Sequence, residues 1–340
     1  MRLLPNSNSL HKVNMKEKVP KSVLFKRIVI TILIVVLAGM IIQWGYGFYV
    51  SEKVDSRMKY TRVNEKKMEY NTSGTGDLTI IFDGDMAANS YEWKNVASDI
   101  QNSEGVKTFV YNRRGYGFND GGDRLTPKEQ AEDLKILLRK SAVSAPYILV
   151  GEGYGSLVMT NFANMYPDTV KGVVLINPYD ENKLNNTKNT IGDTLDLLRK
   201  KLEYLGSKCS LTLLLDKLGL ASNNKEFENN LQSIAKEEYN LKKDQSNYRE
   251  AVYNERKNIY DKVSNSQRAG MFNNIPYYII SNEADNTLKN LGSKDLTFQY
   301  KSSYNGNMYS MMDSQNVENA IKKVVETARR IEKSNKKNNN

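Results

Sequence analysis

The chain has 340 residues, enough for one large domain with an insertion or two smaller ones, so core size is not limiting. Its 49 Lys and Arg against 39 Asp and Glu give a net charge of +10, but the excess sits at the ends: residues 1–27 carry seven basic side chains and one acid, residues 329–340 five and one. Residues 51–328 are therefore near neutral, which argues against a nucleic-acid surface, and one histidine (His11) with one cysteine (Cys209) exclude an internal disulfide and a Cys/His zinc site.

In chain order, residues 1–27 form a basic segment followed by Ile28 to Val50, 23 residues without a charge. About 20 such residues span a bilayer. Trp44, Tyr46 and Tyr49 stand at the far end, where an aromatic belt lies. No A-x-A cleavage site follows, so a non-cleaved signal anchor is expected in place of a cleaved signal peptide. Residues 28–50 would contact membrane lipid, residues 1–27 would be cytoplasmic by the positive-inside rule, and residues 51–328 would form an extracellular domain. An external domain without disulfides fits a bacterial cell surface. The Lys/Asn-rich residues 329–340 are expected to be disordered.

Beyond the apolar run, Met58–Val63 and Lys67–Asn71 flank Asn64-Glu65 as a hairpin, and Leu78–Phe82 is a buried strand running into Asp83-Gly84-Asp85. A helix is expected over Tyr91–Asn102 and a strand over Lys107–Tyr111. Thr126-Pro127-Lys128-Glu129 is a capping box with Pro at the first helical position. The strand from Tyr147 then enters a turn with Gly at 151, 153 and 155, a helix, a turn at Tyr166-Pro167-Asp168 and a strand from Gly172 to Ile176. Between about 180 and 272 the strand pattern stops, and Leu195, Leu197, Leu198, Leu202, Leu205 and the run Leu213–Leu220 recur at helical spacing, as in helices packing on one another. Strands resume at Ile275–Ser281 and Leu296–Tyr300, followed by a helix through Val317, Ile321 and Val324.

The stretch Val150 to Ser156, VGEGYGS, resembles the V-G-H-S-x-G-G nucleophile elbow of the α/β-hydrolase superfamily, with Gly153 at the nucleophile and Glu152 at the preceding His. Asn112 to Asn119 is similar to that superfamily's D-R-x-G-x-G-x-S loop, its Arg read as a structural buttress, and Gly306 to Asp313 to its G-H-Y-x-x-x-D segment, with Met308 at the catalytic His. The resemblance is to the small esterase and prolyl-aminopeptidase branch, over about residues 58–328. It implies an α/β-hydrolase fold, a mostly parallel sheet flanked by helices, with a helical cap at about 180–272. It also implies an oxyanion hole at Asp85 and Tyr154 and a triad acid near Asp285.

By that carry-over no triad is intact: Gly153 and Met308 are vacated positions and Asp285 is at most a residual acid. His11, the only histidine, falls across the membrane, so a serine would lack its usual base and an Asp nucleophile its second step. Ser156 lies in the first turn of a helix, Ser222 begins an S-x-x-K with Lys225, and Cys209 has no activating histidine. No metal or cofactor is implied. A candidate ligand pocket of Asp83, Asp85, Glu152, Gly153, Tyr154, Asp285 and Met308 would be acidic and suited to a small cationic ligand. The expectation is a pseudo-hydrolase acting by binding or regulation, with a small cation or a cell-surface protein as partner and no nucleic acid. The alternatives are a hydrolase of ester, peptide or lipid bonds with a nonstandard site, and a structural subunit of a membrane complex.

Overall fold

The computed structural model describes residues 20–53, 58–283 and 286–338. His11 and Asp285 therefore lie outside the described residues, as does most of the basic N-terminal segment. Helix α1 runs from Lys21 to Lys53, past both ends of the 23-residue apolar run, because the flanking lysines and Arg27 are themselves good helix formers.

Strands β1 (Lys59–Val63) and β2 (Lys66–Ser73) form the hairpin, and Asn64 and Glu65 both take positive φ at its turn, the pairing that suits strand twist. Six further strands complete one sheet: β3 (Thr79–Asp83), β4 (Lys107–Tyr111), β5 (Tyr147–Glu152), β6 (Val170–Ile176), β7 (Tyr277–Ser281) and β8 (Thr297–Lys301). The order is β1-β2-β4-β3-β5-β6-β7-β8, antiparallel at the β1-β2-β4 edge and parallel from β4 onward. The connecting helices cover both faces of the sheet. The 3₁₀ turn Ser90–Trp93 with helix α2 (Lys94–Glu104) replaces the single helix expected there. Helices α3 (Pro127–Lys140) and α4 (Tyr154–Met165) cover the other face, and the capping box at Thr126 and Glu129 starts α3 as the sequence predicts.

Between β6 and β7 come six helices: α5 (Glu181–Asn186), α6 (Ile191–Ser207), α7 (Leu211–Lys217), α8 (Lys225–Asn230), α9 (Ser233–Lys242) and α10 (Ser246–Tyr260). The expectation that their leucines pack on one another fails for α6 and α7, where Leu195, Leu198, Leu202, Leu205 and Leu214 are exposed. The chain closes with α11 (Tyr309–Met312) and α12 (Ser314–Asn338). Val317, Ile321 and Val324 of α12 are fully buried in one core with Trp93 and Ile148. The tail from 329 is thus not disordered but helical to Asn338. Arg329 pairs with Asp77 at 2.8 Å and Lys336 with Glu332 one turn away at 2.7 Å, which extends the helix beyond its buried stripe.

Candidate active site

Strand β5 delivers the chain to Gly153, whose backbone stands at φ 50° and ψ −117° before α4 begins. This conformation costs a side-chain-bearing residue about 1–3 kcal/mol and glycine little. A Cβ on the neighbouring Gly155 would meet the Asp83 carbonyl oxygen at 2.5 Å, so that glycine lets α4 start directly over β3. The elbow is intact.

What stands over it is Asp85. A Cβ placed on Gly153 would lie within 2.8 Å of every atom of the Asp85 carboxyl group, so the space of a nucleophile is filled by a carboxylate. Asp85 Oδ1 accepts the Tyr154 N–H at 2.8 Å, and the Asp85 N–H donates to Glu92 Oε2 at 3.1 Å. Both backbone donors expected to form an oxyanion hole are therefore taken by the protein's own acids. Burial pushes the Asp85 carboxyl up to about 6, against the opposing effect of the backbone N–H groups it accepts.

Glu152, in the place of the superfamily's His, accepts the N–H groups of Tyr309 at 2.5 Å and Ser310 at 3.0 Å. It thereby caps the short helix that Met308 begins, and Met308 itself is fully buried. Burial raises Glu152 to about 8. Glu92 is raised well above the usual carboxyl range by burial and by the charges of Glu152 and Asp85. Asp83 is an ion-pair partner of Arg113 and accepts the Tyr111 hydroxyl at 2.8 Å. Arg113 continues to Glu255 of α10 at 2.7 Å and to the carbonyl oxygens of Gly84 at 2.8 Å and Asp85 at 3.2 Å. The expected buttress is there, and it ties the β3 loop to the cap.

The structure thus gathers Asp83, Asp85, Glu152, Gly153, Tyr154 and Met308, but as packed interior and not as the open acidic pocket the sequence suggested. Asp83, Asp85 and Glu152 are at most 8% exposed and each accepts hydrogen bonds from the chain, because the Arg113 cluster and the 3₁₀ turn close over them. Glu283, two residues beyond β7, lies outside this cluster in an exposed ion pair with Lys183 at 2.8 Å. Sequence reasoning missed Glu92 and Glu255. Neither belongs to a motif, and only their burial in the fold reveals them.

Ser156 donates to the Gly153 carbonyl at 2.6 Å, a local helix-start bond as expected. At Ser222 the S-x-x-K reading is corrected: Lys225 is exposed, and the lysine on the Ser222 hydroxyl is Lys200, at 2.6 Å. Burial lowers the Lys200 ammonium, and Ser222 also bonds Glu203. An open cavity of about 360 Å3 lies to one side, where β6 and β7 end, between Asn177, Tyr179, Asp180, Lys183, Tyr260 and Glu283.

A family model described as the alpha/beta hydrolase fold matches residues 86–305. Two Bacillus subtilis proteins, both described as uncharacterized, share part of the sequence. YqjL is 31% identical over 107 residues, 31% of this chain and 41% of that protein, and YbdG is 30% identical over 115 residues, 33% and 35% of the two lengths. Each match therefore spans less than half of the relative. Among solved structures, an epoxide hydrolase variant from Bacillus megaterium with its bound diol product superposes with a TM-score of 0.61 at 15% identity, over 79% of this chain and 100% of that one. The epoxide hydrolase CorEH gives 0.59 at 15%, over 78% and 97%. At these identities the likeness is one of fold, and it does not select a branch.

Proposed function

Since the chain belongs to the α/β-hydrolase fold family, we propose that it is a non-catalytic member, held in a membrane by α1, that acts by binding or regulation. One observation carries this reading: the Asp85 carboxylate lies over Gly153 and on the Tyr154 N–H, where a hydrolase needs a nucleophile and a site for developing negative charge. A carboxylate there repels an oxyanion. The absence of histidine from residues 51–340 removes the usual base as well.

The exposure of the apolar residues of α1 supports the anchor, and the basic residues before it favour an orientation with that segment in the cytoplasm and the domain outside the cell. With the acid cluster internally satisfied, the cavity beside Tyr179 and Lys183 is the better candidate for a ligand. Its paired Lys183 and Glu283 favour a small zwitterionic or polar molecule over a simple cation.

The test is hydrolysis by the full chain, purified in mild detergent, of activated esters, amides and an aryl epoxide. The last is included because the structural neighbours are described as epoxide hydrolases. No turnover above a heat-treated sample is expected. Turnover that survives repurification and disappears in Ser222→Ala would establish the second reading, a nonstandard hydrolase built on Ser222 and Lys200, which the 2.6 Å contact between them favours over other serines.

A further inference from the structure

Helix α6 is amphipathic in the reverse of the usual sense. Two of its acids point into the protein: Asp196 pairs with Arg256 at 3.1 Å and Glu203 with Arg249 at 3.3 Å, both on α10. Its leucines point out. Leu195, Leu198, Leu202 and Leu205 recur every three or four residues along the exposed face, and Leu214 and Leu218 continue it around the α6–α7 turn. Contiguous exposed apolar surface of this kind marks a docking face.

The occupant is indicated by what lies beside it. Helix α1 packs on the same turn: a Cβ on Gly39 would overlap the Cys209 carbonyl oxygen and stand 2.9 Å from its carbon, and Ser210 donates to the Gly39 carbonyl at 3.0 Å and to Gln43 Oε1 at 3.0 Å. Farther along, Tyr46 donates to the Leu241 carbonyl at 3.3 Å and Lys53 pairs with Glu237 at 2.7 Å. Gly39 lies inside the uncharged run, five residues before Trp44, or about 7.5 Å along the helix axis at 1.5 Å per residue. Interfacial helices bury their apolar face by about 5–10 Å. If α1 spans the bilayer, the α6–α7 turn therefore sits at interfacial depth. Lys201, Lys208 and Lys217 are exposed on these elements and long enough to reach the headgroups.

We infer that the α6–α7 hairpin is a second membrane contact, its leucine face set into the lipid interface next to α1. The inference rests on the anchor reading above and deepens it. It makes the cap a membrane-seated layer, with the sheet beyond it.

The test uses the full chain with Cys209→Ser, carrying one added cysteine at a time (Ile34→Cys, Leu198→Cys, Leu214→Cys), each labelled with an environment-sensitive dye and reconstituted into vesicles containing anionic lipid. Quenching is read with lipids spin-labelled near the glycerol or near the chain end. The expected result is about twofold or greater quenching of the 198 and 214 probes, stronger from the shallow label, as interfacial depth requires, and of the 34 probe by the deep label. Quenching at 34 with the 198 and 214 probes open to aqueous iodide overturns the inference and leaves the anchor standing. Probes at 198 and 214 shielded from both iodide and lipid quencher overturn it in favour of a protein partner. Absence of lipid quenching at 34 overturns the anchor and the inference together.

Discussion

The filled elbow can be tested by asking whether Asp85 and residue 153 compete for one space. Replacing Gly153 by Ser puts a side chain at a φ of 50°, costing about 1–3 kcal/mol in strain. It also drives a Cβ into the Asp85 carboxyl group, costing about 1–3 kcal/mol more as overpacking. Asp85→Ala alone leaves the buried Tyr154 N–H without its acceptor, a loss of about 1–3 kcal/mol. In the double variant the alanine vacates the space that the serine needs, and the serine hydroxyl is placed to accept near that N–H. The two losses should therefore sum to less than their separate values, by about 1–3 kcal/mol. The measurement is a double-mutant cycle from denaturant unfolding of the detergent-solubilised full chain, followed through Trp93, which is buried against Phe82 with ring centroids 5.1 Å apart. Additivity within about 0.5 kcal/mol would mean that Asp85 does not occupy the nucleophile's place, and the argument for an inactive site would lose its main support.

Other outcomes follow from the same contacts. Gly153→Ser with Met308→His should stay inactive toward esters, while adding Asp85→Ala opens the Tyr154 N–H; activity in the double variant without the Asp85 change would contradict the filled hole. The carboxyls of Asp85 (about 6) and Glu152 (about 8) are raised above their unfolded values near 4, so the stability they contribute is fully present below pH ~4 and is lost as pH rises through those values. The melting temperature should therefore fall between pH ~4 and ~8, and Glu152→Gln should flatten that slope; the depressed acids Asp77 and Glu129 act only below this window. Arg113→Met leaves two buried acids, Asp83 and Glu255, facing each other without a cation and should cost about 3–5 kcal/mol in an unfolding titration. Gly39→Val should separate α1 from Cys209, read as faster maleimide labelling of that lone thiol.

Much of the fold was legible because it rests on local rules. Alternation and apolar runs mark the strands, Asn64-Glu65 marks the hairpin, Thr126 to Glu129 marks a helix start, and the glycines around 153 mark the elbow. The positions proposed as vacated, Gly153 and Met308, could be named for the same reason, since both stand in recognisable motifs. What fills the site was not. Asp85 and Gly153 lie 68 positions apart in the numbering, and Glu255 of α10 reaches Arg113 only after the cap has folded down. A side chain's choice between solvent and interior is a tertiary fact. The same limit applied to the leucines of α6, whose period announced a helix face and could not say whether that face turned inward or outward.

These two surprises have one physical origin. Arg113 joins Asp83 and the loop after β3 to Glu255, and Glu255 also accepts the Tyr116 hydroxyl at 2.6 Å, so the cap is fastened to the sheet through a buried charge cluster. Breaking such a cluster exposes uncompensated charge, which makes a lifted cap costly. A cap that opened to admit substrate would have to pay that penalty at every turnover; a cap that stays down has no such requirement. With Asp196 and Glu203 committed to α10, the outward face of α6 is left to its leucines, flanked by Arg199 and Lys201, and α1 stands beside them. The closed site and the outward apolar face are thus consequences of the same inward pairing of charges. Weakening the Arg249–Glu203 or Arg256–Asp196 pairs should loosen both at once, seen as faster amide exchange in α10 together with weaker lipid quenching at position 198.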